Sequence, residues 1–216
     1  MFKPRLHEIL RLSFNSLYNK INGGLVVVEN EASLQLQLSS LIKTVGELFI
    51  YKRDELFSIE LEKPVNLSEG KFEKSKSTKA KMDIFLCLEN LSTKQKNSAG
   101  IELKFFKKIN YREPNNRYDV FKDISNLEKY GDHIDFGMLL IGTDHPHYFS
   151  QEKYSPDTGD FDFRNGKTYK AGTILEYRTQ KPYGLPISLK NDYSFCWNSV
   201  DEGVKFLELE VKPVGA

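Results

Sequence analysis

The residues from Met82 to Lys108 constrain this chain more than any others. Met82-Asp83-Ile84-Phe85-Leu86-Cys87-Leu88 and Gly100-Ile101-Glu102-Leu103-Lys104-Phe105-Phe106 are short apolar and aromatic runs, the composition of β-strands. The segment between them, Glu89 to Gly100, holds the turn formers Asn90, Ser92, Asn97, Ser98 and Gly100, so the spacing predicts a hairpin with a long loop. Asp83 stands where the first strand begins. Glu102 and Lys104 stand two apart on the second, so their side chains leave one face with Cα atoms roughly 6–7 Å apart. In a matching register Asp83 meets that pair, and two carboxylates and an ammonium converge.

Two carboxylates offer hard oxygen ligands to Mg²⁺, which takes one or two protein carboxylates and keeps several waters. A neighbouring lysine orients or deprotonates a water and stabilises developing charge. An Asp, a spacer and then Glu-x-Lys on adjacent strands resembles the PD-(D/E)xK nuclease superfamily, which includes many restriction endonucleases. Asp83 matches the first motif acid, Glu102 the second and Lys104 the lysine. Met82 stands where the motif's name has proline.

The resemblance implies Mg²⁺ as cofactor, with Mn²⁺ able to substitute. Asp83 and Glu102 would hold it, joined by the backbone carbonyl of Leu103. It implies DNA as partner and hydrolysis of phosphodiester bonds, as in a restriction or defence endonuclease. Nucleases of this kind often carry an acid on the helix before the first core strand. Glu31 matches it, although an acid in a first helical turn is also favoured by the helix dipole alone. Two alternatives stand beside this: a catalytically inactive nuclease-fold protein that binds nucleic acid or a protein partner, and an α+β interaction domain whose trio is a surface ion network.

Charge distribution bears on the partner. The formal net charge is only +1, but ten lysines against four acids lie between Lys71 and Lys108. A basic surround beside an acidic centre suits a phosphate polymer, and Lys76, Lys79, Lys81, Lys107 and Lys108 are the expected contacts. Hydrophobic residues make up 39% of 216, enough for one sizeable core. Cys87 alternates within a strand and reads as a small buried hydrophobe, and neither it nor Cys196 belongs to a disulfide or zinc pattern. No signal-peptide core precedes the first helix and no apolar run nears ~18 residues, so a cytoplasmic protein without a membrane span is expected, with a homodimer left open.

Taken in order, residues 4–21 carry apolar side chains at helical spacing, from Pro4 to a stop at Asn22-Gly23-Gly24. Leu25 to Val28 is ambiguous between strand and connector. A second helix is predicted from Asn30, as N-cap, to Tyr51. Leu56 to Glu62 alternates as a strand ending at Pro64, and a basic loop spans 66–80. Residues 110–117 read as loop because of Pro114. Tyr118 to Tyr130 reads as a helix whose non-apolar face holds Asp119, Lys122, Asp123, Asn126 and Lys129. Phe136 to Gly142 is a strand buried on both faces. The order α, β, β, β, α, β matches the αβββαβ core of the superfamily over about 30–148.

The fold class expected is therefore α/β (α+β): a restriction-endonuclease-like αβββαβ core with a mixed central sheet, an N-terminal helix and a C-terminal β-rich extension. Residues 1–216 form a single nuclease-like domain, with 149–216 an accessory region that covers the sheet. Within it, Thr173 to Tyr177 and Phe206 to Val211 read as strands. His145 and His147, two apart and able to share a face, read as ordinary residues of a strand-end loop rather than a metal site, and the acidic string Asp157, Asp160 and Asp162 lacks the EF-hand pattern and reads as a solvated loop. There is no Gly-x-Gly-x-x-Gly fingerprint, P-loop or Gly-x-Ser-x-Gly elbow.

Overall fold

The computed structural model describes residues 2–66, 79–110, 112–198 and 203–215. Helix α1 (Phe2–Asn22) buries Leu6, Ile9, Leu10, Phe14 and Leu17, one stripe at helical period. It ends before Gly24, whose φ of 70° suits glycine. Leu25 to Val28 forms no strand and serves as a connector. In α2 (Glu31–Leu48), Asn30 is the N-cap: its Oδ1 accepts from Ser33 N at 2.9 Å, while Ser33 Oγ accepts from Asn30 N at 3.0 Å. The helix stops three residues short of Tyr51.

Strand β1 (Glu55–Asn66) runs through Pro64 instead of ending there. It is an edge strand, where a missing N–H costs no ladder bond. Strands β2 (Lys79–Asn90) and β3 (Lys96–Phe106) form the expected hairpin. Its turn is shorter than predicted, only 91–95. Asn90 Oδ1 accepts from Ser92 N and Thr93 N, which closes the chain tightly. Lys79 to Lys81 belong to β2 and not to a loop. Lys76 and the rest of 67–78 lie outside the described residues.

Helix α3 (Glu113–Lys129) begins five residues earlier than predicted. Pro114 sits in its first turn, where the absent N–H has no intrahelical partner to lose. Strand β4 (Phe136–Thr143) is buried at all eight residues. Beyond it, β5 (Thr168–Tyr169) and β6 (Ile174–Leu175) pair with β8 (Tyr193–Ser194) and β7 (Ile187–Ser188) respectively. Strand β9 (Lys205–Val211) is not part of a covering layer: it pairs antiparallel with β4 as the fifth strand of the central sheet.

That sheet has the order β1-β2-β3-β4-β9 and is mixed, since β3 and β4 run parallel and the other neighbours antiparallel. Ile101, Leu103, Phe105 and Leu140 point to the layer of α1 and α2. Leu139 and Ile141 point the other way, to α3 and the residues after β4. Glu102 pairs in register with Leu139 and Lys104 with Ile141, so both face α3.

Two polar anchors hold the region after β4 over α3. Arg117, 2% exposed, donates from Nη1 to the carbonyls of Thr158 and Phe161, and its guanidinium lies 3.7 Å from the Tyr154 ring centre. Glu128 Oε1 accepts from Lys190 N, Asn191 N and the Tyr193 hydroxyl. The polar face of α3 is not solvated: Asp123, turned toward Lys104 of β3, is 4% and Asn126 7% exposed. No described helix is long and apolar enough to cross a membrane.

A third anchor ties α1 to β1. Arg5 donates to both oxygens of Glu55 at 2.8 and 2.9 Å, and Tyr51 N adds a bond at 2.9 Å. Arg5 above all holds the Glu55 carboxyl at about 2, below its ordinary 4.5. A carboxyl depressed by folding contributes stability above its ordinary value and loses it as pH falls through the folded one. Glu55→Gln is expected to lower the melting temperature at neutral pH and to flatten its decline between pH about 4.5 and 2. A parental acid limb in the variant would assign that decline to other carboxylates.

Candidate active site

The site lies where the sheet's regular pairing fails. The β1–β2 ladder passes from Leu61↔Ile84 to Lys63↔Met82 and omits the rung of Glu62 and Asp83. Glu62 has a φ of 52°, strained for a residue with a side chain. The β2–β3 ladder ends at Ile84↔Ile101. Asp83 therefore sits at a gap on both sides. Its Oδ2 accepts from Leu103 N at 2.7 Å, so a side chain takes the place of a backbone partner. Its carbonyl accepts from Gln35 Nε2 of α2 at 2.7 Å.

The structure brings Asp83, Glu102 and Lys104 together, and adds groups the sequence reading passed over. Lys104 Nζ donates to the Leu103 carbonyl at 2.8 Å and stands 2.7 Å from Asp123 Oδ2 and 3.5 Å from Glu31 Oε2. Burial alone would lower its pKa, but Asp123, Glu31, Asp83 and Glu102 together raise it, so Lys104 is a firmly held ammonium. Its raised pKa keeps it a positive charge at neutral pH. Asp123 Oδ2 thus has the Lys104 ammonium as its partner. Lys122 Nζ approaches the other oxygen, Oδ1, at 3.7 Å.

Burial outweighs the Lys104 ammonium at both motif carboxyls. Burial raises Asp83 to about 6 against the pull of Lys104 and the Leu103 N–H. Burial, then Asp123 and Asp83, push Glu102 well above the carboxylate range, with only Lys104 and the Tyr130 hydroxyl opposing. Tyr130 donates to Glu102 Oε1 at 3.2 Å. Burial likewise raises Glu31, the first residue of α2.

Asp123 and Tyr130 were legible only as members of the polar and apolar faces of a helix. The signal that could have singled out Asp123 is its position on the helix directly after the Glu-x-Lys strand, which must cross back over that strand to reach parallel β4.

The expected phosphate contacts are scattered. Lys81 lies 3.8 Å from Glu62, Lys107 is ion-paired with Glu29, and Lys79 lies on β2 at the level of Asn66. Lys108 gives its backbone N–H to Asp144. These exposed pairs hold their lysines only weakly. Asp160 and Asp162 are engaged by Arg178 and Arg164. His145 pairs with Glu113 at 3.1 Å, while burial lowers His147 to about 4.

Among the described residues no three or more His, Cys, Asp or Glu side chains are grouped to hold a metal ion. Two carboxylates and one carbonyl, the set of Asp83, Glu102 and Leu103, is nonetheless the size and hardness Mg²⁺ takes. The raised pKa values of the Asp83 and Glu102 carboxyls are what a cation would relieve, so the residues fit the ion. No family model, curated protein or solved structure matches the chain.

Proposed function

We propose that this chain is a divalent-metal-dependent nuclease that hydrolyses phosphodiester bonds of DNA, on a restriction-endonuclease-like core formed by α2, β1, β2, β3, α3 and β4. The observation that carries the reading is the convergence of Asp83, Glu102 and Lys104 at the break in the sheet, with both carboxyls raised by burial despite the Lys104 ammonium. Asp83, Glu102 and the Leu103 carbonyl would hold the ion. A bound Mg²⁺ supplies a polarised phosphoryl oxygen and a water of lowered pKa. Gln35 and the Leu103 N–H keep Asp83 in place. Lys104 presents its ammonium to the charge that gathers on the phosphoryl oxygens as water enters and the 3′-oxygen leaves. The products are a 5′-phosphate and a 3′-hydroxyl.

One observation favours a second reading, a catalytically inactive protein of this fold that only binds nucleic acid or a protein partner. The Lys104 ammonium already occupies the Leu103 carbonyl and neutralises Asp123, so the cluster is in part self-compensated. Plasmid cleavage separates the two. Nicking or linearisation with Mg²⁺ that stops in EDTA is expected. Intact plasmid with both Mg²⁺ and Mn²⁺ would overturn the nuclease reading.

A further inference from the structure

Beside the acid cluster, at the carboxyl end of β3, a cleft of about 490 Å³ opens along α3. Arg112, Asn116, Asp119 and Lys122 line it, at spacings of four, three and three residues, which puts them on one face of the helix. Lys104 and Glu31 form its inner end, so cleft and cluster share a wall. The crevice outside the carboxyl ends of parallel strands, here β3 joined through α3 to β4, is where α/β sheets receive ligands.

The polar groups in it are not equivalent. Glu31 faces the Lys104 ammonium at 3.5 Å, and Asp119 accepts from the Tyr183 hydroxyl at 3.3 Å. Arg112 is exposed; its backbone carbonyl accepts from Asn116 N at 2.8 Å, and its guanidinium makes no hydrogen bond or ion pair with another described residue. Lys122 has one looser contact, 3.7 Å from Asp123. The donors to spare are thus a guanidinium and an ammonium, both carried by α3 and its N-terminal flank. A volume of this size takes a small ligand.

We propose that this cleft is a phosphate subsite, in which Arg112 and Lys122 hold a phosphate adjoining the one placed over Asp83, Glu102 and Lys104. This rests on the nuclease reading, because continuity with the cluster is what identifies the ligand as a nucleic-acid strand. The guanidinium fork matches two phosphate oxygens, and the Lys122 ammonium adds a point charge. Both are positioning residues that fix the register of the strand without touching the bond that breaks.

The test uses the full chain in EDTA, titrated calorimetrically with thymidine 3′,5′-bisphosphate, beside salt-dependent binding of an eight-residue oligothymidylate. Arg112→Ala and Lys122→Ala are each expected to weaken the bisphosphate about tenfold, the loss of roughly one charge-assisted hydrogen bond. Each should lower the logarithmic salt slope for the oligomer by about 0.7. Arg112→Lys should restore the slope and only part of the affinity. Lys96→Ala, at the far end of β3, should change neither. In cleavage, Arg112→Ala should raise KM with kcat near parental. Parental affinity and slope in the double variant would overturn the subsite; if that variant also cleaves normally, the nuclease reading survives alone. Arg112-dependent binding by a protein that cleaves nothing would keep the phosphate site and overturn the nuclease reading.

Discussion

Lys104→Ala is expected to lose roughly 10²–10³ in the single-turnover rate of plasmid cleavage, the usual loss when one preorganised group that meets developing charge is removed. Its effect on DNA affinity should be far smaller, because affinity for a phosphate polymer sums over many cations and the chain between Lys71 and Lys108 has nine other lysines. Affinity is measured by filter binding in Ca²⁺, chosen to support binding without turnover. Because the surrounding carboxylates hold Lys104 as an ammonium, its loss removes a charge and not a base. The rate defect should therefore be similar across pH 6 to 9. Lys76→Ala is the control: slightly weaker binding at low salt and parental turnover at saturating DNA. A parental cleavage rate in Lys104→Ala would mean that Lys104 is not the motif lysine and that the hairpin's spacing is coincidental.

Glu102→Gln is expected to abolish stabilisation by Mg²⁺ or Mn²⁺. A ligand present at a hundredfold excess over its Kd stabilises the fold by about 2.7 kcal/mol. For a domain of this size that is roughly 5–10 °C in Tm. The amide is a poorer ligand for a hard cation, so the variant's melting curve should be the same with and without metal. The sign without metal is opposite to that of most core substitutions. Folding raises the Glu102 carboxyl well above its ordinary value, so its burial costs stability as pH rises past the unfolded value. At pH 8 the metal-free variant should melt at or above the parental temperature. A parental metal shift in Glu102→Gln would place the ion elsewhere, and a large drop in the metal-free Tm would make Glu102 a structural group.

How far the sequence was legible follows from the range of the forces involved. The β2–β3 hairpin, the α2 cap and the buried β4 are all set by residues close in sequence. Asn30 and Ser33 cap one another three positions apart, and Phe136 to Gly142, seven of the eight residues of β4, read as a strand covered on both faces. The two-residue period of β3 alone put Glu102 and Lys104 on one face. Two of the misplaced boundaries share one cause. Pro64 and Pro114 break a strand interior and a helix interior, but only the assembled sheet makes β1 an edge, and only the true start of α3 puts Pro114 in a first turn. The partner of β4, strand β9, lies more than sixty residues along the chain, and no local pattern specifies that pairing.

Local sequence thus determined which residues have the chemistry of the site: two acids and a lysine at strand spacing, with an acid at the head of α2. Tertiary structure alone decided their state. The crossover of α3 brings Asp123 to 2.7 Å from Lys104, and the packing of α3 on the sheet buries that pair. Charge and burial act through space at lengths of a few ångströms. A group nineteen residues away in sequence could therefore set the charge of Lys104 only once the sheet and its helices had closed around it.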